Sequence, residues 1–358
     1  MLKDIWELIE AFAQNSGIAQ FFVDGGWKNI IMIAIAIVLL CLAIFKGIEP
    51  YLLLPISFGM LLVNLPLGGV FVKELDPITG EYVYEGLLGI LYFGVKKGIY
   101  PCLIFMGIGA TTDFGPLIAN PKSMILGAAA QIGIFITFLG ALLLGFTNAE
   151  AASIGIIGGA DGPTAILVTT KLADHLLPAI SIAAYSYMAL VPVIQPPIIR
   201  LLTTKKERQI KMTQLRPVSK TEKILFPILV TTVVVLLIPD CAPLIGMLML
   251  GNLIKESGVV PNLVDAAAKT LMYAITIFLG LSVGATAILT SLDEALSFVK
   301  ILVLGMIAFS FATAAGVLVG KVMCKLSKGK VNPMIGAAGV SAVPMAARVV
   351  HKIGLEED

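Results

Sequence analysis

Long apolar stretches alternate with short polar breaks along almost all of the 358 residues. A stretch of about 20 apolar residues is the length that an α-helix needs to cross the hydrocarbon core of a bilayer. The pattern therefore predicts an all-α polytopic membrane protein with about eleven transmembrane spans. The expected bounds are 29–45, 50–66, 86–118 with an interruption, 122–146, 150–171, 176–199, 224–239, 241–256, 266–290, 297–322 and 331–350.

The composition agrees with a membrane location. Hydrophobic residues make up 58% of the chain and charged residues only 13%, and the mean hydropathy is +0.97. Soluble domains carry about 25% charged residues. A soluble fold is excluded, and the cytoplasmic membrane is the expected location.

The chain lacks the sequence signatures of several kinds of functional site. The four cysteines are isolated, which argues against a disulfide framework or a zinc site. Two histidines are too few for most histidine-based metal centres, and the chain has neither a P-loop nor a dinucleotide fingerprint. Nucleotide-driven pumping within this chain is therefore not expected. These residues are Cys41, Cys102, Cys241, Cys324, His175 and His351.

The distribution of charged residues divides the chain into two halves and predicts its orientation in the membrane. Residues 1–24 include an amphipathic stretch, read either as an interfacial helix or as an ordinary packing helix. The first transmembrane half is 25–199, a basic loop with eight Lys and Arg residues is 200–223, and the second half is 224–358. Basic loops stay cytoplasmic. The last span is then expected to leave the acidic tail Glu356–Asp358 outside.

Asp161 lies in the middle of an apolar stretch, 151–170. An ionised carboxylate in hydrocarbon costs several kcal/mol unless it has a partner, so a functional ion or proton site is the first interpretation. Helix-breaking residues surround it and would free backbone carbonyls at bilayer depth. A carboxylate among free carbonyls suits a hard cation. The alternative is an Asp that only hydrogen-bonds a neighbouring helix to hold a kink. The helix breakers are Gly158, Gly159, Gly162 and Pro163.

A second interrupted span, 331–350, carries its own polar residues. Asn332 and Ser341 offer uncharged oxygens that suit Na⁺, and Arg348 could hold an anion by a forked contact or snorkel towards a headgroup. Tyr187 could supply a phenolic proton or belong to an aromatic belt. Pro333, Gly336, Gly339 and Pro344 loosen the helix.

The two halves resemble each other. Residues 105–111 are similar to 278–286, and 59–65 are similar to 246–253. The offsets are near half the chain length, as in a duplicated transporter, although chance similarity between apolar strings is the alternative. Paired broken spans point to a binding site at the bilayer midplane. An inverted repeat follows if 85–100 is a span of its own, and a parallel repeat if it is not.

Three motifs carry a resemblance to a known family. They are IGGADGPT at 157–164, FMGIGATTDFGPLIANP at 105–121 and NPMIGAAGVSAVPMAAR at 332–348. They resemble the membrane beta subunit of the sodium-translocating, biotin-dependent decarboxylases, and the resemblance covers nearly the whole chain. Members act on oxaloacetate, glutaconyl-CoA, methylmalonyl-CoA or malonate. The short N-terminal part of this chain favours the acyl-CoA members.

The resemblance implies a Na⁺ site with named residues. Asp161 and Asn332 would help to form it, and Gly336 would allow close backbone approach. Ser341 would serve a second ion site or the proton path.

The resemblance also implies chemistry and partners. Arg348 would bind or assist carboxybiotin, while Tyr187 and Ser341 would help to deliver the proton. Carboxybiotin would come from partner biotin-carrier and carboxyltransferase subunits, together with a small gamma or delta membrane subunit in an oligomer. Loss of CO₂ from carboxybiotin consumes a proton, which could force Na⁺ release if the two compete for one site.

Two other functions fit the broken spans. One is a self-sufficient secondary transporter, such as a Na⁺/H⁺ antiporter or a carboxylate symporter. The other is a membrane anchor without catalytic function, which would leave Asp161 without a role.

Overall fold

Helices make up almost all of the structure, which is a computed structural model. It describes residues 16–23, 25–47, 49–75, 82–188, 190–212, 216–289, 291–340 and 343–357. In the first half the elements are α1 Gly17–Gln20, α2 Gly26–Lys46, α3 Pro50–Asn64, β1 Val72–Leu75, β2 Tyr82–Glu85, α4 Gly86–Lys96, α5 Ile99–Thr111, α6 Gly115–Ala119, α7 Met124–Ala130, α8 Ile132–Leu143, α9 Asn148–Gly155, α10 Gly162–Leu172, α11 Leu177–Met188 and α12 Val191–Leu202. In the second half they are α13 Lys205–Arg208, α14 Lys220–Leu237, α15 Ala242–Ser257, α16 Pro261–Asp265, α17 Met272–Ala285, α18 Leu292–Leu326, α19 Ile335–Ala338 and α20 Val343–Glu357.

The structure supports a membrane protein with broken helices. Four helices in the described part of the chain are long and apolar enough to cross a membrane, or five if the pair α4 and α5, bent by 64°, is one span. The expectation of about eleven spans is not confirmed by this criterion, because several expected spans are divided into shorter helices. The four are Gly26–Lys46, Pro121–Leu143, Pro261–Ala285 and Leu296–Leu326.

The structure departs from the all-α expectation at one place. Strands β1 and β2 pair antiparallel, with Val72 opposite Glu85. The aromatic and β-branched residues Val72, Tyr82, Val83 and Tyr84 favour a strand over a helix. The N-terminal amphipathic helix expected within 1–24 falls largely on residues 1–15, which lie outside the described residues.

Two helix pairs make equivalent close contacts. A Cβ on Gly284 in α17 would lie 2.0 Å from the carbonyl oxygen of Ile56 in α3, and a Cβ on Gly109 in α5 would lie 1.9 Å from that of Leu248 in α15. Small residues of this kind let membrane helices approach closely. The four helices carry the four segments that resemble one another in sequence.

Each helix pair is also closed by a buried asparagine. Asn64 Nδ2 donates to the carbonyl of Ala287 at 2.8 Å, and Asn252 Nδ2 donates to the carbonyl of Thr112 at 3.0 Å. Ala287 follows Gly-Ala-Thr at 284–286, and Thr112 follows Gly-Ala-Thr at 109–111. The related segments therefore make the same hydrogen bond.

Residues 148–172 form a helical hairpin, here called hairpin A. It consists of α9, a short 3₁₀ turn at Ile156–Gly158, a break at 159–161 and α10. Glu150 Oε1 at its beginning lies 2.8 Å from Nε2 of His175, just beyond its end. Both ends of hairpin A therefore lie together, and the segment returns to the side from which it entered.

Residues 331–340 and 343–357, which contain α19 and α20, are here called hairpin B. Asn332 Nδ2 at its beginning donates to the carbonyl of Arg208 at 2.9 Å, and Glu357 at its end pairs with the Arg208 guanidinium at 2.9 Å. Both ends thus contact the basic loop. The prediction that the acidic tail emerges on the opposite side is wrong for Glu357, because hairpin B turns back; Asp358 lies outside the described residues.

The two hairpins enter from opposite ends of the long helix α18. Lys300 in α18 lies 5.7 Å from the ring centre of Phe146, just before hairpin A. Lys321 Nζ donates to the carbonyl of Leu202 at 2.9 Å, beside the basic loop. The intervening helix rises about 32 Å at 1.5 Å per residue, close to the thickness of about 30 Å of a hydrocarbon core. The end at the basic loop is called the basic end below.

Replacing Gly251 tests the close packing of the helix pairs. Gly251→Ala places a methyl group against the Met106 carbonyl, and such overpacking should cost about 1–3 kcal/mol of stability. Gly246→Ala is the matched control, because it lies on the same helix and a Cβ there meets nothing within 4 Å. Thermal unfolding in detergent should show a clear loss for Gly251→Ala only. Equal effects of the two changes would contradict the packing.

Candidate functional site

The tip of hairpin A is built from glycines because no side chain fits there. A Cβ on Gly158 would lie 2.5 Å from the carbonyl oxygen of Gly133 in α8, and one on Gly159 would lie 2.4 Å from Oε1 of Gln131. Gln131, between α7 and α8, also places Nε2 3.4 Å from the carbonyl oxygen of Gly159. The tip is therefore fixed against the break between α7 and α8.

Asp161 follows this tip and is the N-cap of α10. Its Oδ1 accepts a hydrogen bond from the backbone N–H of Thr164 at 3.2 Å and another from the Thr164 hydroxyl. An N-cap carboxylate satisfies an otherwise free helix donor and faces the positive end of the helix dipole. Both bonds end on Oδ1. They lie within hairpin A, so these contacts do not link Asp161 to a neighbouring helix.

Gly336 brings hairpin B against α18. A Cβ on Gly336 would lie 1.9 Å from the carbonyl oxygen of Gly316, and a Cβ on Gly316 would lie 2.2 Å from that of Gly336. The close backbone approach expected at Gly336 is present, and the approaching backbone is that of α18.

The two hairpins converge on the middle of α18. Gly133, which touches Gly158, would place a Cβ 2.9 Å from that of Ala312. Gly316, which touches Gly336, lies one turn further along the same helix, a rise of about 6 Å. The broken parts of both hairpins therefore lie at similar depth, far from either end of the bundle.

Asn332 lies elsewhere, at the base of hairpin B. Its Nδ2 donates to the carbonyls of Arg208 and Ile210 at 2.9 and 3.0 Å, and its Oδ1 accepts from the N–H of Met334 at 3.0 Å. Among the described residues it shares no hydrogen bond with Asp161. Asn332 attaches hairpin B to the basic loop.

Arg348 lies on α20 and is exposed. Its Nη1 lies 3.8 Å from Sδ of Met345, and within the described chain no carboxylate lies within 4.0 Å of it. Glu49, in the connection between α2 and α3, is near enough for its pKa to respond. Burial raises the pKa of the Glu49 carboxyl, and the positive charge of Arg348 opposes that rise. The guanidinium remains open to an anionic ligand.

Two predicted residues cannot be placed. Ser341 lies outside the described residues, and of Tyr187 only the backbone, in α11, is described.

Sequence reasoning missed three polar residues of this region. Thr164 holds Asp161, and Gln131 contacts the tip of hairpin A. Gln195 in α12 is fully buried and donates from Nε2 to the carbonyl of Ala337 in hairpin B at 2.9 Å. An amide inside an apolar, proline-containing segment was the signal that could have identified Gln195.

Comparison with known proteins identifies the family of this chain. The family model described as "Na+-transporting oxaloacetate decarboxylase beta subunit" matches residues 28–358. The methylmalonyl-CoA decarboxylase subunit beta of Propionigenium modestum is 56% identical over 344 residues, which cover 92% of this chain and 87% of that protein. The glutaconyl-CoA decarboxylase subunit beta of Acidaminococcus fermentans is 53% identical, covering 96% and 88%.

The oxaloacetate decarboxylase beta chain of Klebsiella pneumoniae is 48% identical over 403 residues, covering 98% of this chain and 92% of that protein. Membrane-spanning helices together with these relatives make this a multi-pass membrane protein. The chain belongs to the family of Na⁺-transporting oxaloacetate decarboxylase beta subunits.

Proposed function

We propose that this chain is the membrane subunit of a Na⁺-pumping decarboxylase, in which loss of CO₂ from carboxybiotin drives Na⁺ export and consumes a proton. The observation that carries this proposal is Asp161, a carboxylate that caps a helix beginning in mid-bundle, at the tip of hairpin A. The relatives support it, since they are named as beta subunits of decarboxylases.

We infer that the chain contains an inverted duplication. The matching contacts of Asn64 and Asn252 support equivalent halves. The two hairpins, whose bases lie at opposite ends of α18, support opposite polarity. Paired broken segments of opposite direction are the usual setting of a midplane ion site, to which access alternates between the two sides.

The proposed Na⁺ site is centred on Asp161. Oxygen ligands and one negative charge suit a hard monovalent cation, and proton binding to the same carboxylate would compete with it. Gly336 contributes by letting hairpin B approach α18. Ser341 stays a proposed ligand or proton carrier. Asn332 also stays a proposed ligand, and its contacts favour a part in positioning hairpin B.

The proposed decarboxylation site includes Arg348. A guanidinium holds a carboxylate through two parallel hydrogen bonds, and Arg348 is exposed on α20. Carboxybiotin supplies the carboxylate, and the nitrogen that loses CO₂ must gain a proton. We propose that Tyr187 and Ser341 help to deliver this proton.

A cavity of about 620 Å³ lies at the end opposite the basic loop. Its lining includes Glu150 and His175 at the base of hairpin A, together with Asp174. The Tyr92 hydroxyl donates to Asp174 Oδ1 at 2.9 Å across this cavity wall. We propose that exported Na⁺ leaves here.

The partners would be a biotin carrier, a carboxyltransferase and a small gamma or delta membrane subunit, in an oligomer. We propose an acyl-CoA substrate for the complex, because the methylmalonyl-CoA and glutaconyl-CoA relatives are 51–56% identical, against 47–50% for the oxaloacetate relatives. The same hairpins would also suit the rival function, a self-sufficient secondary transporter. The relatives do not support that function, because they are named as decarboxylase subunits.

Asp161→Asn tests the Na⁺ site. The amide keeps the shape but loses the negative charge that offsets the cation, so Na⁺-dependent decarboxylation by the assembled complex should be abolished while the chain still inserts. Asp265→Asn is the control, because Asp265 is exposed and pairs with Lys269; it should behave like the parent. Near-normal Na⁺ activation of Asp161→Asn would exclude this assignment.

Arg348→Lys tests whether Arg348 binds a carboxylate or only anchors its helix at the membrane surface. Lysine keeps the charge and the long stem but lacks the planar fork. We expect at least a tenfold loss of carboxybiotin decarboxylation, a loss of about 1.4 kcal/mol, while Na⁺ still protects the protein against heat. Arg200→Lys, at an exposed pair with Glu356, should retain activity. Full activity of Arg348→Lys would place Arg348 at the membrane interface only.

A further inference from the structure

Three side chains in or beside the hairpins have a buried oxygen without a hydrogen-bond partner among the described residues: Ser153, Thr169 and Gln195. Gln195 in α12 is the amide among them, and it has no exposed surface. Its Nε2 donates to the carbonyl of Ala337, which leaves the buried Oε1 without a partner in the described part of the chain. Nearly all buried polar atoms in proteins are hydrogen-bonded or hold a water or an ion, so this oxygen is expected to have a ligand.

The position of Gln195 suits an ion. Ala337 is next to Gly336, which touches the middle of α18. Hairpin A shows a parallel contact, since Gln131 lies against the carbonyl of Gly159, next to Gly158. Each hairpin thus has a glutamine amide at the residue after its glycine contact. At Gln195 the donor is used for the hairpin and the oxygen is left over.

The chemistry of the Gln195 Oε1 atom limits the kinds of ligand that it can bind. An amide oxygen is neutral and accepts only, so it pairs with a donor or a hard cation; glutamine and backbone carbonyls are common ligands of such cations. We propose that Gln195 Oε1 is a ligand of the transported Na⁺, at a position beside hairpin B that is distinct from the Asp161 carboxylate. This inference rests on the proposed function.

Asn64 provides a matched comparison. It is also buried, its Nδ2 donates to a backbone carbonyl and its Oδ1 has no partner. It lies between α3 and α17, which do not belong to either hairpin. A general effect of removing a buried amide should therefore appear at both residues, whereas an effect on Na⁺ should appear at Gln195 alone.

The test uses Gln195→Leu, Gln195→Glu and Asn64→Leu in the assembled complex. The Na⁺ concentration for half-maximal decarboxylation and the Na⁺-dependent rise in melting temperature are measured for each. Gln195→Leu has no oxygen and should raise the half-activating concentration at least tenfold. Gln195→Glu keeps an oxygen but loses the N–H donor, and should stay within about threefold of the parent. Asn64→Leu should lower the melting temperature without changing the response to Na⁺.

The outcomes separate the ligand from the function on which it rests. A parent complex without Na⁺ activation would overturn the proposed function itself. A Na⁺-activated parent with an unchanged Gln195→Leu would overturn only the ligand. Equal loss of Na⁺ response in Gln195→Leu and Gln195→Glu would assign Gln195 to hairpin positioning instead. If Gln195→Leu fails to assemble, the Na⁺ response of Gln195→Glu decides: retention supports the ligand and loss overturns it.

Discussion

The arrangement of this protein depends on the cost of holding a carboxylate inside a bilayer. An ionised Asp at that depth needs hydrogen-bond donors and a counter-charge. Asp161 obtains its donors from Thr164 at the start of its own helix, which requires a helix to begin in mid-bundle. A second helix must then end there, and the hairpin is the result. The remaining need, a positive charge, is met by the ion that the protein is proposed to carry.

Glycine contacts make the broken helices possible. Non-helical backbone at membrane depth is tolerated only where other parts of the protein cover it or where it lines a water-filled cavity. Gly158 against Gly133, and Gly336 against Gly316, bring the covering backbone within contact distance. The helix pairs closed by Asn64 and by Asn252 do not belong to the hairpins. This division suits a transporter in which one part supports and another moves around the ion.

Sequence reasoning located the interruptions in the helices better than it predicted the topology. The positions of Asp161 and Gly336 could be identified because a charge and helix breakers are costly inside an apolar run. The paired segments could be identified because close helix packing requires glycines. The return of hairpin B to the basic end could not be predicted, because a re-entrant hairpin and a transmembrane span have apolar segments of similar length. Its ends are set by Arg208 with Asn332 and Glu357, contacts between residues more than 100 positions apart. Gln195 has a local signal, an amide within a proline-containing apolar segment, but its contact with Ala337 lies 142 positions away and could not be read from that segment.

Cysteine labelling at the tip of hairpin A tests the central claim most directly. Ala160 is half-buried beside Asp161, and a single cysteine there, in a chain whose four native cysteines are replaced, reports access to the site. The account predicts that Na⁺, but not K⁺, slows modification by a small thiol reagent, while a cysteine at the exposed Lys269 reacts at an unchanged rate. An Ala160 cysteine whose labelling ignores Na⁺, in a complex that Na⁺ still activates, would show that the ion binds elsewhere.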